Sequence, residues 1–255
     1  MSDISKPFLD HLEDLRWMLI KSAVAIVLGM ILSCIFAQQI LALLQIPLRE
    51  YVEAKGLDIQ DYLIMLNVID PLTITIKTGI FAGLILACPF LFYFIGDFVL
   101  PALHPSEKKM LIPAFTVGAV LFLLGVLFCY QFVVPIALSV FLEWGESFGM
   151  HAQIPLDFYV SFVLQLLVAF GVSFEMPLVI IILAKLGIVD KKMLTTYRRH
   201  AILFFIVFSA CMTPADPFSM IMLFVPLYLL FEISVIATGF IETDRKRQEE
   251  SFWED

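Results

Sequence analysis

Charge is scarce in this chain. Asp, Glu, Lys and Arg make up 16% of its 255 residues, where a soluble domain carries about 25%, and that shortage excludes an ordinary water-facing surface. The charge present sums to −8 without any basic stripe, so nucleic acid has no electrostatic footprint to bind. Cysteine is equally sparse. Cys34, Cys88, Cys129 and Cys211 each sit alone in an apolar run, without the CxxC spacing of a metal or redox pair, and they read as buried, inert thiols. The four histidines, His11, His104, His151 and His200, fall at span ends or in loops. No HExxH, Walker loop, GxSxG elbow or GxGxxG turn occurs. The residues that would serve an enzyme, a nucleotide, a metal or a cofactor are missing.

Apolar length is what the chain has instead. Hydrophobic residues reach 61% and mean hydropathy is +0.95. Six apolar runs stand out, at 17–37, 72–100, 110–134, 156–184, 201–212 and 218–240, most of them near the roughly 20 residues that cross a bilayer core. They predict an all-α membrane protein of six transmembrane helices, with residues 1–255 forming one domain. The first run is too long for a signal-peptide core and lacks an A-x-A-like exit, so it is expected to stay as a span. The run at 201–212 rises only about 18 Å against a core of about 30 Å, and Pro214 and Pro217 then bracket a tight turn in "TPADPFS". Spans five and six are therefore expected to be a short crossing hairpin, although a re-entrant pair would also return the chain to the same side. The loop at 38–70 is expected to hold a short surface helix.

Basic residues divide unevenly between the two sides. The N-terminus with Lys21, the loops at 103–109 and 185–199, and the tail hold 13 Lys and Arg, against Arg49, Lys55 and Lys77 on the other side. Positive-inside bias puts both termini in the cytoplasm, and six crossings satisfy that. No internal repeat is visible, so the inverted-repeat signature of many secondary transporters is absent.

Few residues carry candidate chemistry. In "SKPFLDHLEDLRWMLI", Phe8, Leu12, Leu15 and Leu19 form an apolar stripe with Asp10 and Asp14 displaced from it. That pattern predicts an amphipathic cytoplasmic helix over residues 1–16 whose acids face water. In "PALHPSEKKML", Ser106 is placed to cap the third span and Glu107 to meet the helix dipole in its first turn. Glu175 stands inside the run "LLVAFGVSFEMPLVIIILA", where a charge costs roughly 2.5–3.5 kcal/mol at the bilayer centre. It reads either as a functional acid or as helix-packing glue. Gly171 lies one turn earlier and Pro177 just after.

The strings "FLDHLEDLRWMLI", "ACPFLFYFIGDFVLPALHPSEKK", "AFGVSFEMPLVI", "TPADPFSMIML" and "VPLYLLFEISV" occur in this order. Together they resemble the TatC family, the large integral-membrane subunit of the twin-arginine protein translocase, over residues 8–240. The resemblance implies six helices with both termini inside, residence in the inner (cytoplasmic) membrane, and export of folded proteins driven by the proton gradient. It implies that Asp14 and Glu107 bind the arginine pair of signal peptides, with Arg16, Phe98, Pro101 and Leu103 completing that site. Two carboxylates suit two guanidinium forks, where lysine fits less well. Glu175 matches the family's acid in the fourth span, which implies a water-filled concavity or a polar partner beside it. Pro47, Arg198, Asp216 and Glu232 match family positions with docking or structural roles. Implied partners are single-span subunits resembling TatA and TatB, docked near Met220 and Leu223, within an oligomeric receptor complex.

The chain also departs from the family. Asp14 replaces the usual glutamate, "TPAD" replaces TPPD, Met220 takes a place often held by glutamine, and His200 one often held by an aromatic. The rival reading of the same features is a proton- or solute-coupled secondary transporter.

Overall fold

Each long apolar run forms helix, because in hydrocarbon every backbone N–H and C=O must find its partner within its own segment. The computed structural model describes residues 8–99, 105–149, 153–213 and 216–254, with the side chains of residues 11–60, 62–99, 113–149, 153–213 and 216–243 among them. In chain order the helices are α1 (Phe8–Ile35), α2 (Ala37–Leu44), α3 (Ile46–Ala54), α4 (Ile59–Tyr62), α5 (Asp70–Val99) and α6 (Pro105–Phe128). A π-helical turn (Cys129–Val133) leads into α7 (Val134–Ser147), followed by α8 (Leu156–Phe174), α9 (Met176–Lys185), α10 (Lys191–Thr196), α11 (Arg198–Met212) and α12 (Pro217–Glu254). Two strands of two residues, β1 (Leu63–Ile64) and β2 (Ile154–Pro155), pair in parallel with Leu63 opposite Ile154.

Five stretches among the described residues are long and apolar enough to cross a membrane: His11–Ile35, Asp70–Val99, Pro113–Ser147, Leu156–Lys185 and Pro217–Thr243. The run expected to be a fifth span forms the helix α11 but is not one of these five, because its 15 residues rise only about 22 Å against a core of ~30 Å. The sixth helix is not short. α12 runs for 38 residues, because neither Gly nor Pro occurs after Gly239, and the charged residues that follow are mostly good helix formers. Residues 8–16 likewise do not form a separate helix. With no Gly or Pro between Pro7 and Gly29, they are the first turns of α1. The loop at 38–70 holds three short helices rather than one.

Prolines set the breaks. Pro135 follows the π-helical turn in the first turn of α7, and the wider turn absorbs its missing N–H. Pro177, in the first turn of α9, separates α8 from α9 at Glu175. There the Glu175 N–H bonds to the Val172 carbonyl at 3.2 Å, three residues back.

Packing centres on α8, where 12 of 19 residues are buried, so α8 is the axis of the bundle. α6 lies against α8, and α9 against α12. α1 packs mainly on α5, and glycines let the two backbones touch. A Cβ on Gly29 would lie 2.5 Å from the Gly83 carbonyl oxygen, and one on Gly83 would lie 2.5 Å from the Met30 nitrogen. The other faces of α1 expose Trp17, Val24, Leu28, Leu32 and Ile35, the surface a lipid-facing helix presents.

One end of the bundle is capped. Leu48 and Val52 of α3 are fully buried, and α3 packs on α7. Tyr130 donates to the Leu43 carbonyl at 2.7 Å and Tyr159 to the Leu44 carbonyl at 2.6 Å, so two tyrosines satisfy the orphan carbonyls that end α2. Lys55 donates to Glu146 at 2.6 Å and lies 4.7 Å from the Tyr51 ring centre. The hydrogen bond to Glu146 holds the Lys55 ammonium above its ordinary pKa. The opposite end, open among the described residues, holds the start of α1, the end of α5 and the start of α6.

Candidate functional site

At the open end, the first turns of α1 meet the last turn of α5. The His11 imidazole stacks on the Phe98 ring with centroids 4.6 Å apart and planes 16° from parallel. Asp14 follows His11 by three residues, which places it on the same flank of α1. Its side chain is half-buried, while Arg16 is exposed. Five residues further on, Lys21 Nζ lies 3.7 Å from Asp97 Oδ2. Glu107 belongs to the first turn of α6, which opens at Pro105. Ser106 is therefore inside the helix and not its cap, since Pro105 already supplies the first helical position that proline favours. The Glu107 side chain, together with Pro101 and Leu103, lies outside the described residues.

Glu175 occupies the break between α8 and α9. Its Oε1 is buried without a hydrogen-bond partner among the described residues, a costly state for a carboxylate oxygen. Gly171, one turn back, has no room for a side chain, because a Cβ there would lie 2.7 Å from the Phe122 ring of α6.

Along the α11–α12 edge, two expected residues meet. Arg198 donates to Glu232 Oε2 at 2.8 Å, and Tyr228 donates to Glu232 Oε1 at 2.9 Å. Asp216 caps α12, accepting the Ser219 N–H at 2.6 Å, which is the role its position before Pro217 suits. Met220 is half-buried, but Leu223 is fully buried and cannot face a partner. The exposed stripe of α12 is Ile221, Val225, Leu229 and Ile233, spaced one helical turn apart. Pro47 is buried at the cap end, in the first turn of α3, far along the chain from the other candidates.

Sequence reasoning missed one polar cluster. Lys77 Nζ donates to both Asp157 oxygens at 2.7 Å and to Ser161 Oγ at 2.9 Å, tying α5 to the start of α8. Lys77 is the only cation of α5. A lone cation in an apolar helix needs a carboxylate partner, and that signal was legible. The partner itself lies 80 residues away, beyond any local pattern.

These features define a class: a polytopic helical membrane protein with polar groups at the ends of the bundle and in one helix break. A family model described as Sec-independent protein translocase protein (TatC) matches residues 10–226. The Aquifex aeolicus TatC is 36% identical over 95% of this chain and 98% of its own length. The Escherichia coli K12 TatC is 32% identical over 96% and 93%. A crystal structure described as the twin arginine translocase receptor TatC superposes with a TM-score of 0.81 at 34% identity, covering 91% of this chain and 99% of that one. The chain belongs to the TatC family. It is a multi-pass, non-enzymatic component of the Tat protein-transport system, and the solute-transporter reading is not favoured.

Proposed function

We propose that this chain is the receptor that binds twin-arginine signal peptides at its open end and nucleates assembly of the translocase. Asp14 and Glu107 accept charge-assisted hydrogen bonds from the signal arginines, with Arg16, Phe98, Pro101 and Leu103 shaping the rim around them. The observation that carries this reading is the His11–Phe98 stack at 4.6 Å. It ties the acidic start of α1 to the end of α5, and so to the loop that leads to Glu107.

In the same reading the chain crosses the inner membrane six times, α11 being a short crossing, with both termini and the 241–255 segment cytoplasmic. The basic asymmetry of the sequence supports this orientation. The short α11 beside the longer α12 makes a thin edge for single-span subunits resembling TatA and TatB, and Arg198–Glu232 and the Asp216 cap hold that edge in shape. Glu175, with its unpartnered oxygen, is the intramembrane group that answers to the proton gradient.

The test is co-purification of the intact chain with a twin-arginine signal peptide, set against a twin-lysine version. Retention of the arginine form alone is the expected result. Equal retention of both, or of neither, contradicts the reading.

A further inference from the structure

Between the last third of α5 and α6 lies a cavity of ≈ 540 Å³. Its walls are aromatic and its rim is acidic. Tyr93 and Phe115 form the sides, Thr116 adds a hydroxyl, and Asp97 stands at the rim. Gly96 lets Phe115 press against the α5 backbone, since a Cβ there would lie 3.0 Å from the Phe115 ring.

The Asp97 carboxylate is held only loosely. Lys21 Nζ is 3.7 Å away, and the two side chains are 50% and 60% exposed. That distance is well beyond the roughly 2.7–2.9 Å of a charge-assisted hydrogen bond. A guanidinium would do better on both counts, since it can bond a carboxylate through two N–H groups and lay its plane on an aromatic ring. Asp97 directly precedes Phe98, the residue stacked on His11, and pairs across to Lys21 of α1, so its carboxylate stands between the α5–α6 cavity and the α1 side of the proposed signal site.

We propose that Asp97 is a third carboxylate of that rim, receiving an arginine side chain of the signal peptide in the Tyr93–Phe115 cavity, with Lys21 as its built-in competitor. The proposal rests on the signal-receptor reading above and deepens it. Lys21 occupies Asp97 in the empty state and is displaced when the peptide's arginine enters.

The two members of the pair must then act with opposite sign. With the full-length chain in lipid nanodiscs and a fluorescent twin-arginine signal peptide, Asp97→Asn is expected to weaken binding about tenfold. Lys21→Gln is expected to tighten it severalfold, and to have no effect when Asp97→Asn is already present. An ion pair that only braces α1 against α5 would make both variants weaken binding together, which overturns the proposal. Lys21→Gln leaves the carboxylate in place, so it decides the matter even if Asp97→Asn unfolds; unchanged or weaker binding counts against the competitor role. Arginine-selective binding that ignores Asp97→Asn overturns this inference alone. Loss of arginine selectivity in the unaltered chain overturns the receptor reading with it.

Discussion

Lys77 and Glu175 show two ways of keeping a charge within apolar helices. Lys77 is paired with Asp157 and Ser161. Removing one partner of a fully buried pair costs roughly 3–5 kcal/mol, and here both side chains are about a third exposed (33% and 30%). Lys77→Ala is therefore expected to destabilise by about 1–2 kcal/mol, after discounting for solvent screening, read as a lower melting temperature in detergent, with Lys77→Arg recovering most of the loss. Glu175 has no such partner for Oε1. Glu175→Gln keeps the shape and removes ionisation, so the variant should insert and fold but transport poorly. Wild-type transport with an unchanged pH dependence would reduce Glu175 to packing. Sequence reasoning singled out Glu175 because an isolated acid in an apolar run is visible locally. It passed over Asp157, whose meaning depends on a lysine 80 residues away.

At the scale of elements, helix identity was legible and helix ends were not. Apolar runs in the sequence marked the five stretches long enough to cross a membrane, but the ends of α1 and α12 run on through charged residues, because nothing there breaks a helix. Hydropathy marks where lipid stops and not where hydrogen bonding stops. Contacts between helices were similarly hidden. Gly29 and Gly83 look like ordinary glycines in apolar runs, yet they set the approach of α1 to α5. Gly83→Leu forces the α1 backbone away, and overpacking of this kind costs typically ~1–3 kcal/mol. The expected result is a lower melting temperature and easier proteolysis of α1. Unaltered stability would mean that α1 rides loosely on α5.

For the molecule as a whole, the family could be read from the order of five motifs, and the crystal-structure match at TM-score 0.81 agrees with it. Orientation rests on the basic asymmetry. Single cysteines placed in residues 185–199, in a chain without its native four, should label only from the cytoplasmic side. Labelling from the other side would invert the proposed topology.

The central claim, that acids at the open end recognise an arginine pair, is tested most directly by a double-mutant cycle between Glu107→Gln and an Arg→Lys change in the signal peptide. Each charge-assisted pair is worth roughly 1.5–3 kcal/mol when shielded from water, so the account predicts coupling of at least about tenfold in affinity. Coupling near zero, with the protein folded and inserted, would leave Glu107 as a residue that only meets the dipole of α6 and would contradict the account.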